Sequence, residues 1–323
     1  MSTEVLSGLL ASLGTILLIL AFAGHVAHAV LLANGRRLST IPVAAVGTAR
    51  RPAYAGVVGG SFVAAVSARD EQAATPARPV TAADPTSLSG VARWLAIAAF
   101  AVLAAALIGR GIAVGRGPWG NLYEFSIAFA TAIVGGYLVL ERRYPIASIG
   151  FIPLGVASAL TLYGASLPSD IRPLVPALAN APLLTIHVGM AVISYGIFAT
   201  AFAAGVGYLV QGTDDRFGWL PSHRVLDAVA YRAVVIGFPI FATMIVLGSW
   251  WASIAWSRYW GWDPKETAAL ATWLVYAVYL HARNRRGWAG RPAALLLVVG
   301  FAMVLVTYSG SLWFSGLHAY SGL

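Results

Sequence analysis

The chain has no cysteine among its 323 residues, so it forms no disulfide and performs no thiol chemistry of its own. Any thiol in its function must come from another protein. Charge is also scarce. Only 10% of the residues are charged, 59% are hydrophobic, and the mean hydropathy is +0.77. That balance excludes a soluble domain of this length. Several segments exceed the roughly 18 apolar residues that a membrane helix needs. Acidic side chains are few, 12 against 21 basic ones, for a net charge of +9. In a soluble protein such an excess would point to nucleic acid. Here membrane topology explains it, and nucleic acid is not expected as a partner. The start, MSTEVLSG, lacks the basic region of a signal peptide, so the first apolar segment is expected to remain as a membrane helix.

What the chain does have is a series of apolar runs. They predict an all-α polytopic membrane protein with about eight spans, near 5–33, 94–114, 122–140, 146–163, 184–210, 231–249, 264–282 and 292–313. Pro239 should kink the sixth. Alternate connecting segments hold sixteen of the twenty-one basic residues, including Arg36, Arg37, Arg142, Arg143, Arg283 and Arg285. The positive-inside rule places these in the cytoplasm, with both termini outside. The expected localisation is therefore the plasma (inner) membrane, multi-pass. Residues 36–93 are rich in Ala, Pro and Arg and read as a mostly disordered cytoplasmic linker, with Tyr54–Val66 too short to span. Residues 1–35 then form a first helix, and 94–323 the main membrane domain.

The most informative stretch is Trp250–Glu266, WWASIAWSRYWGWDPKE. It is read as a loop at the external membrane surface and holds five of the eleven tryptophans: Trp250, Trp251, Trp256, Trp260 and Trp262. An interfacial aromatic belt takes only about one or two per helix end. Five together, with Tyr259, make a platform for a large flat apolar ligand, for which haem is the obvious candidate. Asp263-Pro264-Lys265-Glu266 is a helix-start signal: Asp263 suits the N-cap, Pro264 the first helical position, and Glu266 completes a capping box. Asp263 serves the platform by fixing Trp260 and Trp262 on a rigid helix end. Arg258 is either a propionate partner or an interfacial arginine.

There are six histidines. An ionisable group inside a membrane segment is costly and is a functional candidate by default. His187, early in the fifth helix, and His318, just past the last, fall on the same side as the tryptophans. Two neutral imidazoles beside an apolar platform are what haem iron needs for axial ligation. His281 lies at the opposite end of its helix, either as part of a second, inner site or at the headgroups near the helix C-terminus. His25 and His28, near the inner end of the first helix, are candidates to approach it. His223 reads as a surface residue.

Trp251-Ala252, Trp256, Tyr259-Trp260 and Trp262-Asp263-Pro264-Lys265-Glu266-Thr267, with Tyr279-Leu280-His281-Ala282-Arg283, resemble the tryptophan-rich WWD signature of haem-handling proteins. Gly117-Pro118-Trp119-Gly120-Asn121-Leu122-Tyr123-Glu124 and Gly316-Leu317-His318-Ala319-Tyr320 resemble further motifs of the CcsA/ResC-type System II cytochrome c biogenesis family. The resemblance covers about 94–323. It implies the membrane subunit of a holocytochrome c synthase (haem lyase). Such a subunit receives haem b from the inner side as a transiently bound substrate. It presents the haem externally for thioether attachment to the CxxCH motif of apocytochrome c. The implied partners are a ResB/CcsB-type membrane subunit, apocytochrome c and, indirectly, thiol-reducing proteins. By motif position His187 and His318 match the external axial ligands, and His281 a transmembrane histidine that binds haem in transit. No catalytic side chain beyond haem positioning is implied. Two alternatives stand beside this reading: a haem exporter that hands haem to a carrier, and a respiratory subunit binding haem b or quinone. Eight helices at this length, and histidines at a surface rather than stacked within the bundle, favour the synthase.

Overall fold

The computed structural model describes residues 2–35, 87–171, 181–286, 288 and 290–318. Among these the chain is all-helical. Eight α-helices occur at the eight expected positions: α1 Thr3–Gly35, α2 Leu88–Val114, α3 Leu122–Glu141, α4 Phe151–Ala165, α5 Ala181–Gln211, α6 His223–Trp256, α7 Pro264–Arg286 and α8 Arg291–Trp313. Six of them (α1, α2, α3, α5, α6 and α8) are long and apolar enough to cross a membrane. The other two differ for distinct reasons. At 15 residues, α4 spans roughly 22 Å, short of a hydrocarbon core of about 30 Å. The longer α7 carries Lys265, Glu266, Arg283 and further polar residues that dilute its hydropathy.

Three boundaries depart from the sequence reading. The expected linker over 36–93 ends early, because Ser87 caps α2 by accepting from the Gly90 amide at 3.1 Å and residues 88–93 form its first turns. Residues 36–86, including Tyr54–Val66, lie outside the described residues. The segment expected at 146–163 begins instead with a 3-10 turn, Ala147–Ile149, before α4 starts. The sixth helix, expected at 231–249, runs over His223–Trp256 and continues through Pro239. The first half of the predicted tryptophan loop is therefore helix, and the true loop is only 257–263.

Small residues let the helices approach. The buried stripe of α1 runs Ser7, Ala11, Gly14, Leu18, Ala21, His25, Ala29, and that of α2 runs Ala92, Ala96, Ala99, Leu103, Ala106, Arg110. The two helices pair antiparallel. A Cβ on Gly14 would lie 2.7 Å from Leu103, and one on Gly24 would lie 2.9 Å from Ala92. Lipid offers no hydrophobic drive between helices, so such close packing must hold them. The same device joins α3 to α5, where a Cβ on Gly136 would meet the Gly196 carbonyl oxygen at 3.0 Å. Around this contact α3 packs on α2 and α4, and α5 on α6 and α8. Phe129, Tyr195, Phe198, Phe241 and Tyr276 fill the centre.

A test of this packing is Gly196→Ala. A Cβ at 196 would collide with the Ala132 backbone, which cannot swing aside. A loss of about 1–3 kcal/mol is expected, read as a lower unfolding midpoint in detergent. Gly8→Ala, where nothing lies within 4 Å, should not lower it.

Candidate functional site

One end of the bundle gathers the starts of α3, α5 and α7 and the ends of α2, α6 and α8. Between them lies an open-mouthed pocket with about 970 Å³ of empty volume, its mouth included, lined by α3, α5, α6, α7 and α8 and by the segments after α2, α6 and α8, among them Trp119, His187, Trp251, Trp260, Lys265 and His318.

His187 sits on the second turn of α5. Its Nδ1 is 2.9 Å from the Met244 carbonyl oxygen of α6, which can only accept, so Nδ1 carries the hydrogen and the lone pair is on Nε2. The ring lies nearly parallel to Trp251, 9° between planes. Gly248 makes room for it, since a Cβ there would lie 2.5 Å from the imidazole.

His318 reaches the same pocket by a different route. After α8 the chain folds back over the start of α7, and His318 Nδ1 lies 2.7 Å from Asp263 Oδ2. The Leu317 amide donates to the other oxygen of Asp263. Gly316 is required here, because a Cβ would collide with Asp263 and come within 2.8 Å of Pro264. Burial pushes the His318 imidazole below its ordinary range, against the upward pull of the Asp263 carboxylate. Burial also pushes Asp263 up, but the hydrogen bonds from His318 and from backbone amides outweigh it and hold the carboxyl below its usual range. At neutral pH the pair is therefore a neutral imidazole donating Nδ1–H to a carboxylate. That is the arrangement that fixes tautomer and orientation in metal-binding histidines.

The helix start behaves as its sequence predicts. Asp263 accepts from the Lys265 amide at 3.1 Å, and Glu266 accepts from the Asp263 amide at 3.2 Å and the Gly261 amide at 2.9 Å. This reciprocal cap shapes the loop 257–263, whose ends adopt a left-handed backbone at Ser257 (φ 54°) and Trp262 (φ 55°). Non-glycine residues there carry strain that surrounding contacts must impose.

The tryptophans divide. Trp251 is buried, packs edge-on against Trp256 and touches both site histidines. Trp256 meets His318 at 4.8 Å between ring centroids, and Trp260 lines the pocket. Trp250, Tyr259 and Trp262 are more than half exposed and lie outside the lining. A single flat platform of all these rings does not form. With α6 helical to Trp256, Trp250 and Trp251 are about 100° apart around the axis, so one faces outward and the other inward.

Composition did not single out several residues that the site depends on. Glu124 is 1% exposed; it binds Arg110 at 2.8 Å and Arg116 at 2.9 Å, and accepts from the Gly120 amide at 2.8 Å. Arg116 also donates to the Gly117 carbonyl. Together they pin the loop on both sides of Trp119, whose buried indole N–H has no hydrogen-bond partner among the described residues and lies beside the pocket. Gly248 gave no signal in the sequence, and Lys265 appeared there only as part of the Asp263–Glu266 motif.

The other histidines do not enter this site. His281 is exposed on α7. His25 is fully buried and engaged elsewhere: Nδ1 on the Ala21 carbonyl at 2.8 Å, and Nε2 on the Tyr137 hydroxyl, which in turn meets Glu141, each at 3.0 Å. This commits His25 to α3 rather than to His281. Tyr137 has one hydroxyl proton for two partners. Satisfying the whole chain therefore takes one proton more than a neutral imidazole and a carboxylate hold between them. His28 is half-buried one turn on, and His223 sits at the start of α6 against Asp215.

Comparison with known proteins decides the family. The model of the cytochrome C assembly protein family matches residues 119–318, from the pocket's Trp119 to its His318. The chain belongs to this family. It is 34% identical over 268 residues to the cytochrome c biogenesis protein CcsA of Synechococcus sp. (strain CC9605), covering 72% of this chain and 88% of that one. It is 34% identical over 270 residues to CcsA of Synechococcus elongatus (67% and 83%), and 32% identical over 235 residues to CcsA of Mesostigma viride (63% and 77%). It is thus a CcsA-type, multi-pass membrane protein of cytochrome c biogenesis.

Asp263→Asn removes the charge and one of the two accepting oxygens. Asparagine can still cap α7, but its NH2 then faces a donor, from Leu317 on one side or from Lys265 and His318 on the other, so a stability loss of about 1–3 kcal/mol is expected as a lower unfolding midpoint. Loss of the charged anchor should lower iron-porphyrin affinity about 10–100-fold in an absorbance titration.

Proposed function

We propose that the pocket end of this assembly-family protein holds haem b as a transient substrate, with His187 and His318 as axial ligands, and presents it outside the plasma membrane to apocytochrome c. The observation that carries the reading is the pair of imidazoles, each fixed through Nδ1 and lining one pocket, His187 from α5 and His318 from the segment after α8. Nitrogen ligands that put Nε2 lone pairs into an aromatic-lined space suit porphyrin iron. The buried indole N–H groups of Trp119 and Trp251, both without partners among the described residues, support a ligand that completes the site.

In this reading His187 and His318 keep the iron six-coordinate, Trp251, Trp256 and Trp260 exclude water, and the strained Trp262 and exposed Tyr259 form the rim that the apocytochrome meets. The two CxxCH thiols come from the substrate, since this chain has no cysteine. Each S–H adds across one vinyl double bond. A C–S bond forms and the hydrogen goes to the neighbouring carbon, with no net oxidation. The protein's contribution is positioning, which converts an encounter into a reaction between held groups. The histidine of CxxCH then displaces one of the two site histidines, which loosens the product. The synthase acts with a ResB/CcsB-type membrane subunit. His281, exposed on α7 at the far end, is where haem enters and where that partner supplies the second ligand. Thiol-reducing proteins keep the apocytochrome ready. A haem exporter or a respiratory haem b subunit accounts less well for an open pocket rimmed by exposed aromatics.

Absorption spectra of the full chain, purified with and without its partner subunit, test this. Wild type should show bis-histidine haem. His187→Ala and His318→Ala should lose it and abolish holocytochrome formation, with partial rescue by added imidazole. Full activity in both variants without imidazole would remove the ligand assignment. His281→Ala should lower haem occupancy of the pocket while leaving affinity for added haem unchanged.

A further inference from the structure

Lys265 places an ammonium in the wall of an otherwise largely apolar pocket, at the first turn of α7. Nζ lies 5.8 Å from the centroid of the Phe125 ring. Among the described residues no ion pair includes it. The nearby acids hold other hydrogen-bond partners. Asp263 spends its oxygens on His318 and on the amides of Lys265 and Leu317. Glu266, which also lines the pocket, turns one oxygen back onto the loop amides of Gly261 and Asp263. Glu124 is held between Arg110 and Arg116. A cation without a contacting ion-pair partner in such a space is costly, and an anionic ligand offsets that cost. Arg258, the other basic residue of the segment, is exposed, packs over Gly261 and does not line the pocket.

Resting on the haem reading above, we infer that Lys265 recognises an ionised propionate of the bound haem and makes the site selective for porphyrins that carry free acids. Haem is the ligand whose geometry joins the three features: iron for the two imidazoles, an apolar face for the indoles, and a carboxylate at its edge. The side chain reaches the pocket wall from a capped helix start, so the anchor is rigid. The ammonium therefore fixes which edge of the porphyrin lies against α7. The vinyl edge, opposite the propionates, then points away from α7.

The test uses mesohaem, which lacks vinyls and cannot be covalently attached, and mesohaem dimethyl ester, which lacks the charges. Both are titrated into the full chain in detergent and followed by the Soret band. Wild type should bind the diacid about tenfold more tightly than the ester, the size of one charge-assisted hydrogen bond. Lys265→Met should keep the ester affinity and lose the preference, and Lys265→Arg should retain it. The ester serves as the folding control for each variant. No preference in wild type overturns the inference without reference to any variant, and so does a preference surviving intact in Lys265→Met. If wild type binds neither porphyrin, the haem reading itself fails, an outcome distinct from bound haem without selectivity.

Discussion

One buried carboxylate ties the pocket end together. Asp263 is 5% exposed, yet it caps α7, accepts from the Leu317 amide and holds the Nδ1–H of His318. Its own amide donates to Glu266, which also accepts from Gly261. Three segments far apart in sequence therefore depend on one charge: the loop after α6, the start of α7 and the tail after α8. The partners are worth more in this dry setting than they would be in water, and removing any one leaves polar groups buried and unpaired. The histidine is thus not merely near the helix start. Its tautomer and direction are consequences of the cap.

The second ionic assembly works in the same way from the other flank. Glu124 opens α3 between Arg110 and Arg116, and the loop carrying Trp119 is clamped between them. At the opposite end of the molecule Arg283 of α7 forks onto Asp227 of α6 and lies over the Tyr231 ring. Charges are rare in this chain, and most of those buried within the described residues are matched. Lys265 stands out because no ion pair among the described residues includes it. The proposed propionate would bring it a matching charge.

Much of this was legible in the residues. Apolar runs located all eight helices, because in lipid a backbone has no alternative to the helix. The signal Asp263-Pro264-Lys265-Glu266 gave the start of α7 and its capping box, since capping depends on local spacing alone. His187 and His318 were singled out because ionisable groups are costly there, and they do line one pocket. The helix ends were less legible. Nothing in the sequence opposes helix between 249 and 256, and the five clustered tryptophans read as loop when three of them finish α6. Residues 88–93 read as linker because Ser87 caps only in the context of the chain it begins.

The sequence by itself determined an all-helical membrane protein, the family motifs, and the residues able to ligate a metal. These follow from hydropathy, helical period and side-chain chemistry, all of which are local. Only the tertiary structure decided which rings face the pocket, because a helix separates Trp250 from Trp251 by its rotation and sends them to different faces. Only the fold brought Asp263 to His318 across 55 positions, committed His25 to Tyr137 and Glu141, and left Lys265 outside every ion pair among the described residues. Those outcomes depend on which neighbour reaches each polar group first, and in a close-packed bundle that is fixed by how the helices cross, through contacts such as Gly136 on Gly196.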